Sequence, residues 1–365
     1  MKKKILFLLH FPPPVHGSSI IGALIKDSQQ VNDSFSCRYL NLLASQKVSD
    51  SGKLSLRKLF DFWKTFWSLR HELVYQKPDL CYFALTTTGI GFLKDVLLVF
   101  LIKITGVPVI YHLHNKGIDK FSRSGIFRFL YRYVFNGSKV ILLSELLYSD
   151  VSRYVNQSQI FICPNGLPIT NSLVNIPSAW ERNEVKILFL SNLIESKGVF
   201  VLLDSLVVLN RKNIQFSLSI VGGEGDINES RLNEAILERS LTSKVHYLGS
   251  KHGDAKNRVF KETDIFLLPT YYSNECFPLV LIEAMQYSLP VISTFEGGIP
   301  DLVEHNKTGF LVPQRDVNAL AHYLETLILN PELRTSMGQA GRRKYESEFT
   351  QAHFENRLVQ ILKQV

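Results

Sequence analysis

Cysteine and long hydrophobic runs are scarce in this sequence of 365 residues. Its four cysteines lie far apart and form no Cys-x-x-Cys pair, which argues against a disulfide framework and a zinc site and is typical of a reducing compartment. The N-terminal run Ile5–Leu9 is shorter than the roughly 7–15 apolar residues of a secretory signal. The run Val96–Ile102 is far shorter than the ~20 residues of a membrane-spanning helix. We therefore expect a cytoplasmic protein, and attachment to the inner face of the plasma membrane stays open.

The charge is distributed unevenly between the two halves. Residues 1–180 contain 21 Lys and Arg against 10 Asp and Glu, whereas residues 181–365 contain 20 against 23. A basic half attracts an anionic partner, such as nucleic acid, a lipid surface or a phosphorylated substrate. Nucleic acid is disfavoured because no helix-turn-helix, RNP-type or zinc motif is present. A dinucleotide-dependent dehydrogenase is disfavoured because no Gly-x-Gly-x-x-Gly follows the first apolar run.

Short apolar runs alternate with helical stretches in both halves, which predicts an α/β fold of two doubly wound, Rossmann-like domains with parallel sheets. The predicted strands are Ile5–Leu9, Leu80–Leu85, Val107–Leu113, Val140–Leu143, Val185–Leu190, Phe216–Val221, Val245–Leu248, Ile265–Leu268 and Val291–Ser293. We expect one domain over residues 1–170, a linker over 171–184, a second domain over 185–345, and a helix over 346–365 that packs on the first domain. Ligands of such sheets bind outside the carboxyl ends of the strands.

The stretch from Glu275 to Glu283 has the strongest chemical pattern. Glu275 falls in the loop after a predicted strand, and Glu283 lies about one and a half turns into the next helix, whose first turn suits Pro278. A helix N-terminus offers free N–H groups and partial positive charge to a diphosphate, and the two carboxylates could bind sugar hydroxyls beside it. Two solvated glutamates would give the same spacing. The glycine turn Gly297-Gly298, between another strand and helix, favours a site.

The combination of motifs in the second half resembles the family 4 retaining glycosyltransferases of the GT-B fold. These motifs are E-x7-E enclosing Phe-Pro-Leu, then Gly-Gly-Ile-Pro-Asp-Leu-Val, then His-Asn-Lys-Thr-Gly-Phe-Leu-Val. The resemblance covers essentially the whole chain and is strongest from Val185 to Val312. It implies two domains that face each other across a cleft, the first binding the acceptor and the second the nucleotide sugar. It also implies transfer of a hexosyl group, with retention of configuration, to a glycan or lipid-linked glycan in bacterial surface polysaccharide synthesis.

The same resemblance implies roles for single residues of the second domain. Glu275 faces the donor sugar near its reacting carbon, Glu283 binds the ribose hydroxyls, and Lys197 binds the diphosphate. The family usually has Gly-Arg-Leu where this chain has Ser191-Asn192-Leu193. Because an asparagine lacks the guanidinium fork, either Lys197 works with Asn192 and backbone amides or another cation helps. The remaining residues expected at the donor are Phe277, Pro278, Leu279 and Gly298.

Two positions in the first half also match the family. Gly17 matches a glycine loop near the phosphates and the acceptor, and His114 matches a histidine that lines the donor sugar. No Asp-x-Asp occurs in the chain, so the carboxylate pair with which many sugar transferases hold a divalent ion is missing. We therefore expect no metal and no cofactor, with a UDP-sugar as the donor by family habit. Two alternatives stay open: a GT-B nucleotide-sugar epimerase and a catalytically silent GT-B binding subunit.

Two stretches of the basic half combine cations with large aromatic residues at helical spacing. They are residues 53–74 and Phe127–Phe135. In one interpretation the aromatic side chains pack on the sheet and the cations are solvated. In the other, the first domain docks on an anionic membrane surface, to which each cation would contribute ~1 kcal/mol.

Overall fold

The computed structural model describes residues 2–42, 56–170 and 184–365 and divides them between two compact units. Unit 1 comprises Met1–Gly166 and Gln351–Val365, and unit 2 comprises Leu167–Thr350. The predicted linker lies outside the described residues, except for Glu184. Residues 53–55 of the first basic aromatic stretch also lie outside them.

Unit 1 is built around a six-stranded parallel sheet with the order β2-β1-β3-β4-β5-β6. Its strands are β1 Lys4–Leu9, β2 Ser36–Asn41, β3 Leu80–Phe83, β4 Val109–His112, β5 Lys139–Leu142 and β6 Ile160–Ile162. Its helices before the chain enters unit 2 are α1 Gly17–Asp27, α2 Gln29–Ser34, α3 Leu56–His71, α4 Gly89–Ile104, α5 Ile118–Phe121, α6 Gly125–Phe135 and α7 Tyr148–Val151. Every residue of β3 and β4 is buried, as expected for central parallel strands with helices on both faces.

Unit 2 contains a second six-stranded parallel sheet, with the order β12-β11-β10-β7-β8-β9. Its strands are β7 Val185–Leu190, β8 Phe216–Val221, β9 Val245–Tyr247, β10 Ile265–Leu268, β11 Val291–Thr294 and β12 Gly309–Val312. Its helices are α8 Val199–Arg211, α9 Glu229–Glu238, α10 Gly253–Lys261, α11 Leu279–Gln286, α12 Ile299–Leu302, α13 Val317–Leu329 and α14 Pro331–Glu348. The two parallel sheets with their helices confirm the predicted α/β fold class.

The strand order reverses once in each sheet. In unit 1 the chain leaves β1 for the edge strand β2 and returns to β3 on the other side of β1. In unit 2 the chain leaves β7 for β8 and β9 and returns to β10 on the other side of β7, so the reversal lies between β7 and β10. Loops that leave two neighbouring strands in opposite directions open a crevice at their carboxyl ends, where open α/β sheets bind ligands. The topology of unit 2 therefore points to the loops after β7 and β10.

The nine predicted strands are all present, but three strands were not predicted. They are β2, β6 and β12, and each lies at the edge of its sheet. An edge strand does not need a continuous apolar run, because it has a neighbouring strand on one side only, and this accounts for β2. The strands β6 and β12 are apolar but only three and four residues long. In β2 the polar residues Ser36, Arg38 and Asn41 interrupt the pattern, and all three are exposed.

The last helix, α15, spans Gln351–Gln364 and belongs to unit 1. Phe354, Leu358 and Leu362 are buried at a spacing of four residues, which forms one face of a helix. The helix packs against α2, and the carbonyl oxygen of Leu362 accepts a hydrogen bond of 3.2 Å from Nζ of Lys3. It lies within the C-terminal segment predicted to contain it, residues 346–365.

Candidate active site

An ion pair between Lys197 and Glu275 joins the two loops that diverge in unit 2. Lys197 ends a short 3₁₀ turn after β7, and Glu275 lies between β10 and α11. The distance between Nζ of Lys197 and Oε2 of Glu275 is 2.5 Å, and the two side chains are only 15% and 9% exposed. Thr270 Oγ1 lies 3.4 Å from the same carboxylate oxygen. Two of the residues matched to the family's site are therefore in direct contact.

Close backbone packing holds these two loops against each other. Tyr271 N donates a 2.7 Å hydrogen bond to the carbonyl oxygen of Ser196. Gly198 has a φ of +90°, and a Cβ there would lie 2.1 Å from the carbonyl oxygen of Pro269. No side chain fits at this distance, so the glycine is what allows Lys197 to approach Glu275.

Glu283 has a different lysine partner. Its Oε1 lies 2.5 Å from Nζ of Lys256, which projects from α10, and both side chains are largely buried. The two motif carboxylates are therefore held separately, Glu275 by a residue after β7 and Glu283 by a residue on α10. The sequence gives no signal for Lys256, because this residue lies on a mostly polar surface helix with no motif around it.

The N-terminus of α11 lies directly after Glu275. Pro278 is the N-cap residue and supplies no capping side chain, so it lies one position before the first helical turn that the sequence suggested for it. Leu279 is the first helical residue, and Phe277 is buried with its ring centroid 5.9 Å from that of Phe349. The glycine turn also packs here, because Gly298 N donates a 2.7 Å hydrogen bond to the carbonyl oxygen of Cys276.

Asn192 lies in the loop after β7 and is exposed. Its Oδ1 is 3.5 Å from the position that a Cβ would take at Gly223, so the side chain borders the loop after β8. Both alternatives for the arginine that this chain lacks stay open: Lys197 works with Asn192 and backbone amides, or another cation helps. A further cation on this edge is Arg315, whose guanidinium carbon lies 4.2 Å from the centroid of the Tyr271 ring.

In unit 1, Gly17 is the first residue of α1, and His16 is its N-cap. His16 Nδ1 accepts a hydrogen bond of 3.3 Å from Ser19 N, and Ser19 Oγ accepts one of 2.9 Å from His16 N. This reciprocal pair is a capping box. Because Nδ1 accepts, the neutral ring carries its proton on Nε2. Burial also lowers the pKa of His16.

His114 lies just beyond β4, next to two other histidines at the carboxyl ends of unit 1 strands. Its ring centroid is 4.2 Å from that of His112, which hydrogen-bonds the hydroxyl of Tyr82 through Nδ1. Burial, followed by the charge of His16, lowers the pKa of His114 to about 3. Burial also lowers the pKa of His10 to about 3. Nδ1 of His114 is buried without a hydrogen-bond partner, so this ring has an unused polar atom.

Potential metal ligands are dispersed in the part of the chain that the structure describes. No group of three or more His, Cys, Asp or Glu side chains within residues 2–42, 56–170 and 184–365 is placed to hold a metal ion. None of the described helices is both long and apolar enough to cross a membrane.

Comparisons with known proteins assign these features to a family. The sequence model described as "Glycosyl transferases group 1" matches residues 176–344. The amylovoran biosynthesis glycosyltransferase AmsK of Erwinia amylovora is 35% identical over 193 residues, which cover 50% of this chain and 45% of AmsK. The putative colanic acid biosynthesis glycosyltransferase WcaL of Escherichia coli is 31% identical over 185 residues, 49% of this chain and 45% of WcaL. The matched segments thus span about half the length of these curated relatives.

Solved structures match the chain over its whole length. A sucrose-phosphate synthase from Thermosynechococcus elongatus has a TM-score of 0.77 at 18% identity and covers 100% of this chain, with 99% of its own length matched. The Anabaena protein HepE, solved in complex with UDP and glucose, has a TM-score of 0.72 at 18% identity, and each chain covers 100% of the other. At 18% identity, the similarity to these two structures shows a shared fold and nothing more. The resemblance drawn from the motifs is confirmed: residues 176–344 match the model of the group 1 glycosyl transferases, and the chain has the fold of GT-B glycosyltransferases.

Proposed function

We propose that the protein is a retaining glycosyltransferase that moves a hexosyl group from a nucleotide sugar to a glycan or lipid-linked glycan during bacterial surface polysaccharide synthesis. The observation that carries the proposal is the Lys197–Glu275 ion pair, which lies at the strand-order reversal of unit 2 and beside the N-terminus of α11. The names of AmsK and WcaL, both polysaccharide biosynthesis glycosyltransferases, support the substrate class.

Lys197 and the first turn of α11 would stabilise the departing diphosphate. An ammonium group and free backbone N–H groups meet negative charge where it develops as the glycosidic bond breaks. The acceptor oxygen would form its bond to the anomeric carbon on the face that the diphosphate leaves, and its proton would pass to the departing phosphate oxygen. Glu275, next to Lys197, would contact the donor sugar, and no metal ion is required in this scheme.

Glu283 and His114 would bind neutral parts of the donor. The Glu283 carboxylate can accept hydrogen bonds from ribose hydroxyls while Lys256 fixes its position. His114 is uncharged at physiological pH because burial lowers its pKa to about 3. It would therefore act as a hydrogen-bonding group toward sugar hydroxyls and not as a cation toward phosphate.

We infer a cytoplasmic location, at the inner face of the plasma membrane where the acceptor is lipid-linked. None of the four cysteines forms a disulfide, and three of them are buried, as is typical of a reducing compartment. UDP is the nucleotide we propose for the donor, and HepE, which shares the fold, was solved with UDP and glucose.

A donor screen tests the function directly. Thermal shift with a panel of nucleotide sugars should identify a donor that raises Tm, and the purified protein should then release nucleoside diphosphate from that donor, with and without chelator. NMR of the transferred product should show the anomeric configuration of the donor. An epimer of the nucleotide sugar as the product would instead establish the epimerase, and donor binding without any turnover would establish a silent binding subunit.

A further inference from the structure

Large apolar side chains are exposed mainly on unit 1. Of the 20 exposed large hydrophobic residues in the described ranges, 15 lie in unit 1, and 11 of those lie on only three helices, α3, α4 and α6. These 11 residues are Leu59, Phe60, Trp63, Trp67, Ile90, Leu93, Leu97, Phe100, Ile104, Ile126 and Phe129. Contiguous exposed apolar surface marks an interaction site more often than scattered residues do. We call this set the apolar face.

The middle helix of the three, α4, has apolar residues on every side and only three charged ones, Lys94, Asp95 and Lys103, although only part of it is covered. Phe92, Leu98, Val99 and Ile102 are buried. On the other side five apolar residues, from Ile90 to Ile104, are between 39% and 61% exposed. A helix that is hydrophobic all round is normally buried, so the outer side of α4 indicates a missing apolar partner.

The topology places all three helices in one layer. They connect β2 to β3, β3 to β4 and β4 to β5, and each connection advances in the same direction across the sheet. Connections between parallel strands are almost always right-handed, so these helices cover the same side of the sheet. The contacts agree, because α4 packs against both α3 and α6.

Specific contacts fix α6 alongside α4. The ring centroids of Phe92 and Tyr131 are 4.5 Å apart. Nζ of Lys103 donates to the carbonyl oxygens of Tyr133 and Asn136, at 2.8 and 2.7 Å. The exposed apolar residues of α6 and of α4 therefore lie on neighbouring helices of one layer.

The three helices carry a strong excess of positive charge. Their sequences contain eight Lys and Arg against two Asp, and one of those, Asp95, is completely buried. Exposed cations are present on both outer helices, Lys64 and Arg70 on α3 and Arg128 and Arg132 on α6. The guanidinium carbon of Arg70 lies 5.7 Å from the centroid of the Trp67 ring. Cations interleaved with Trp, Phe and Leu are typical of helices that lie in the headgroup region of a bilayer.

We propose that the apolar face docks unit 1 on an anionic lipid bilayer, with the outer side of α4 at the centre of the contact. A second copy of this chain is a poorer occupant, since it would bring two basic surfaces together. The flanking cations complement anionic headgroups, and the aromatic residues suit the interface between headgroups and acyl chains. The docking requires no donor and no catalysis, so its test is independent of the proposed reaction.

Vesicle flotation of the full chain tests the docking. The protein should float with vesicles of phosphatidylcholine and phosphatidylglycerol at low salt, bind phosphatidylcholine alone much more weakly, and lose binding at high salt because the charges are screened. The double variant Leu97→Ser/Phe100→Ser should weaken binding by roughly tenfold or more, because both side chains would enter the apolar region. The matched control is Leu237→Ser/Leu329→Ser, two exposed apolar positions of unit 2, which should bind as wild type does.

Tryptophan fluorescence gives a second readout. The chain has three tryptophans, and Trp180→Phe leaves Trp63 and Trp67 of the apolar face as reporters. Their emission should shift to the blue on anionic vesicles and be quenched by brominated acyl chains. Absence of flotation at low salt would overturn the proposal. So would a dimer of the wild type that Leu97→Ser/Phe100→Ser dissociates, because a second copy would then cover the face.

Discussion

The ammonium group of Lys197 and the carboxylate of Glu275 are in contact at 2.5 Å although the two residues are 78 positions apart in sequence. The contact exists because β7 and β10 are neighbours in the sheet while their connections run to opposite sides. In the proposed reaction the same pair places one positive group at the diphosphate and one negative group at the sugar.

Replacement of Glu275 tests its part in turnover. Glu275→Gln keeps the shape of the side chain and an oxygen that can accept from Lys197, but it removes the negative charge. We expect kcat to fall by at least about a hundredfold, with a circular dichroism spectrum and Tm near those of wild type. The control Glu304→Gln alters ion pairs with Lys307 and Lys344 in the same unit and should leave kcat unchanged. Turnover near that of wild type in the folded Glu275→Gln protein would remove this carboxylate from the site.

Lys256 should act only through Glu283. Glu283→Gln should raise KM for the donor about tenfold or more, because a hydrogen bond to a charged group is lost, while kcat changes little. Lys256→Met should raise KM less, and the double variant should be no worse than Glu283→Gln alone. The control Lys212→Met breaks a comparable ion pair, 2.5 Å long, with Glu325 and should not affect KM. Additive effects of the two site variants would mean that Lys256 contacts the donor itself.

The sequence predicts the central strands and the motif carboxylates well, because the signals for them lie within short stretches of the chain. Central parallel strands such as β7 and β10 are continuous apolar runs, and a short spacing in sequence fixes Glu275 and Glu283 around one helix start. Edge strands such as β2 lack that signal. The Lys256–Glu283 pair was not predictable, because it depends on how α10 packs beside α11 and no local pattern distinguishes Lys256 from other surface lysines.

The exposed side of α4 was likewise not predictable from its composition. Its apolar run reads as a buried helix, and only the sheet order shows which side is covered. The basic aromatic stretches of α3 and α6 were recognised from their sequence, but their continuity through α4 required the fold.

Gly198 should tolerate no side chain for two reasons, its positive φ and the clash of a Cβ with Pro269. Gly249 shares only the positive φ and is therefore the matched control. Gly198 and Gly249 both have positive φ, +90° and +66°, but a Cβ at Gly249 meets nothing within 4 Å. Gly249→Ala should therefore cost only the left-handed conformation, about 1–2 kcal/mol of unfolding free energy. Gly198→Ala adds the clash with Pro269 and should cost clearly more and reduce turnover, because the loop with Lys197 must move. Urea unfolding and steady-state kinetics measure both effects, and equal costs for the two variants would contradict the packing described for this loop.

Three histidines near the carboxyl ends of unit 1 strands, His112 buried and His10 and His114 partly buried, should make stability depend on pH. Burial lowers the pKa of His10 and of His114 to about 3, and it lowers that of His112 below its ordinary value. Between the ordinary histidine pKa, about 6.5, and pH 3 the unfolded chain binds more protons than the folded one, so the free energy of unfolding falls as pH falls through this window. Each ring contributes a slope of up to about 1.4 kcal/mol per pH unit. His114→Gln should flatten the decline in urea midpoints from pH 7.5 to pH 5, whereas His246→Gln, at an exposed position of β9, should leave it as in wild type. An unchanged decline in His114→Gln would show that this ring is not buried in its neutral form.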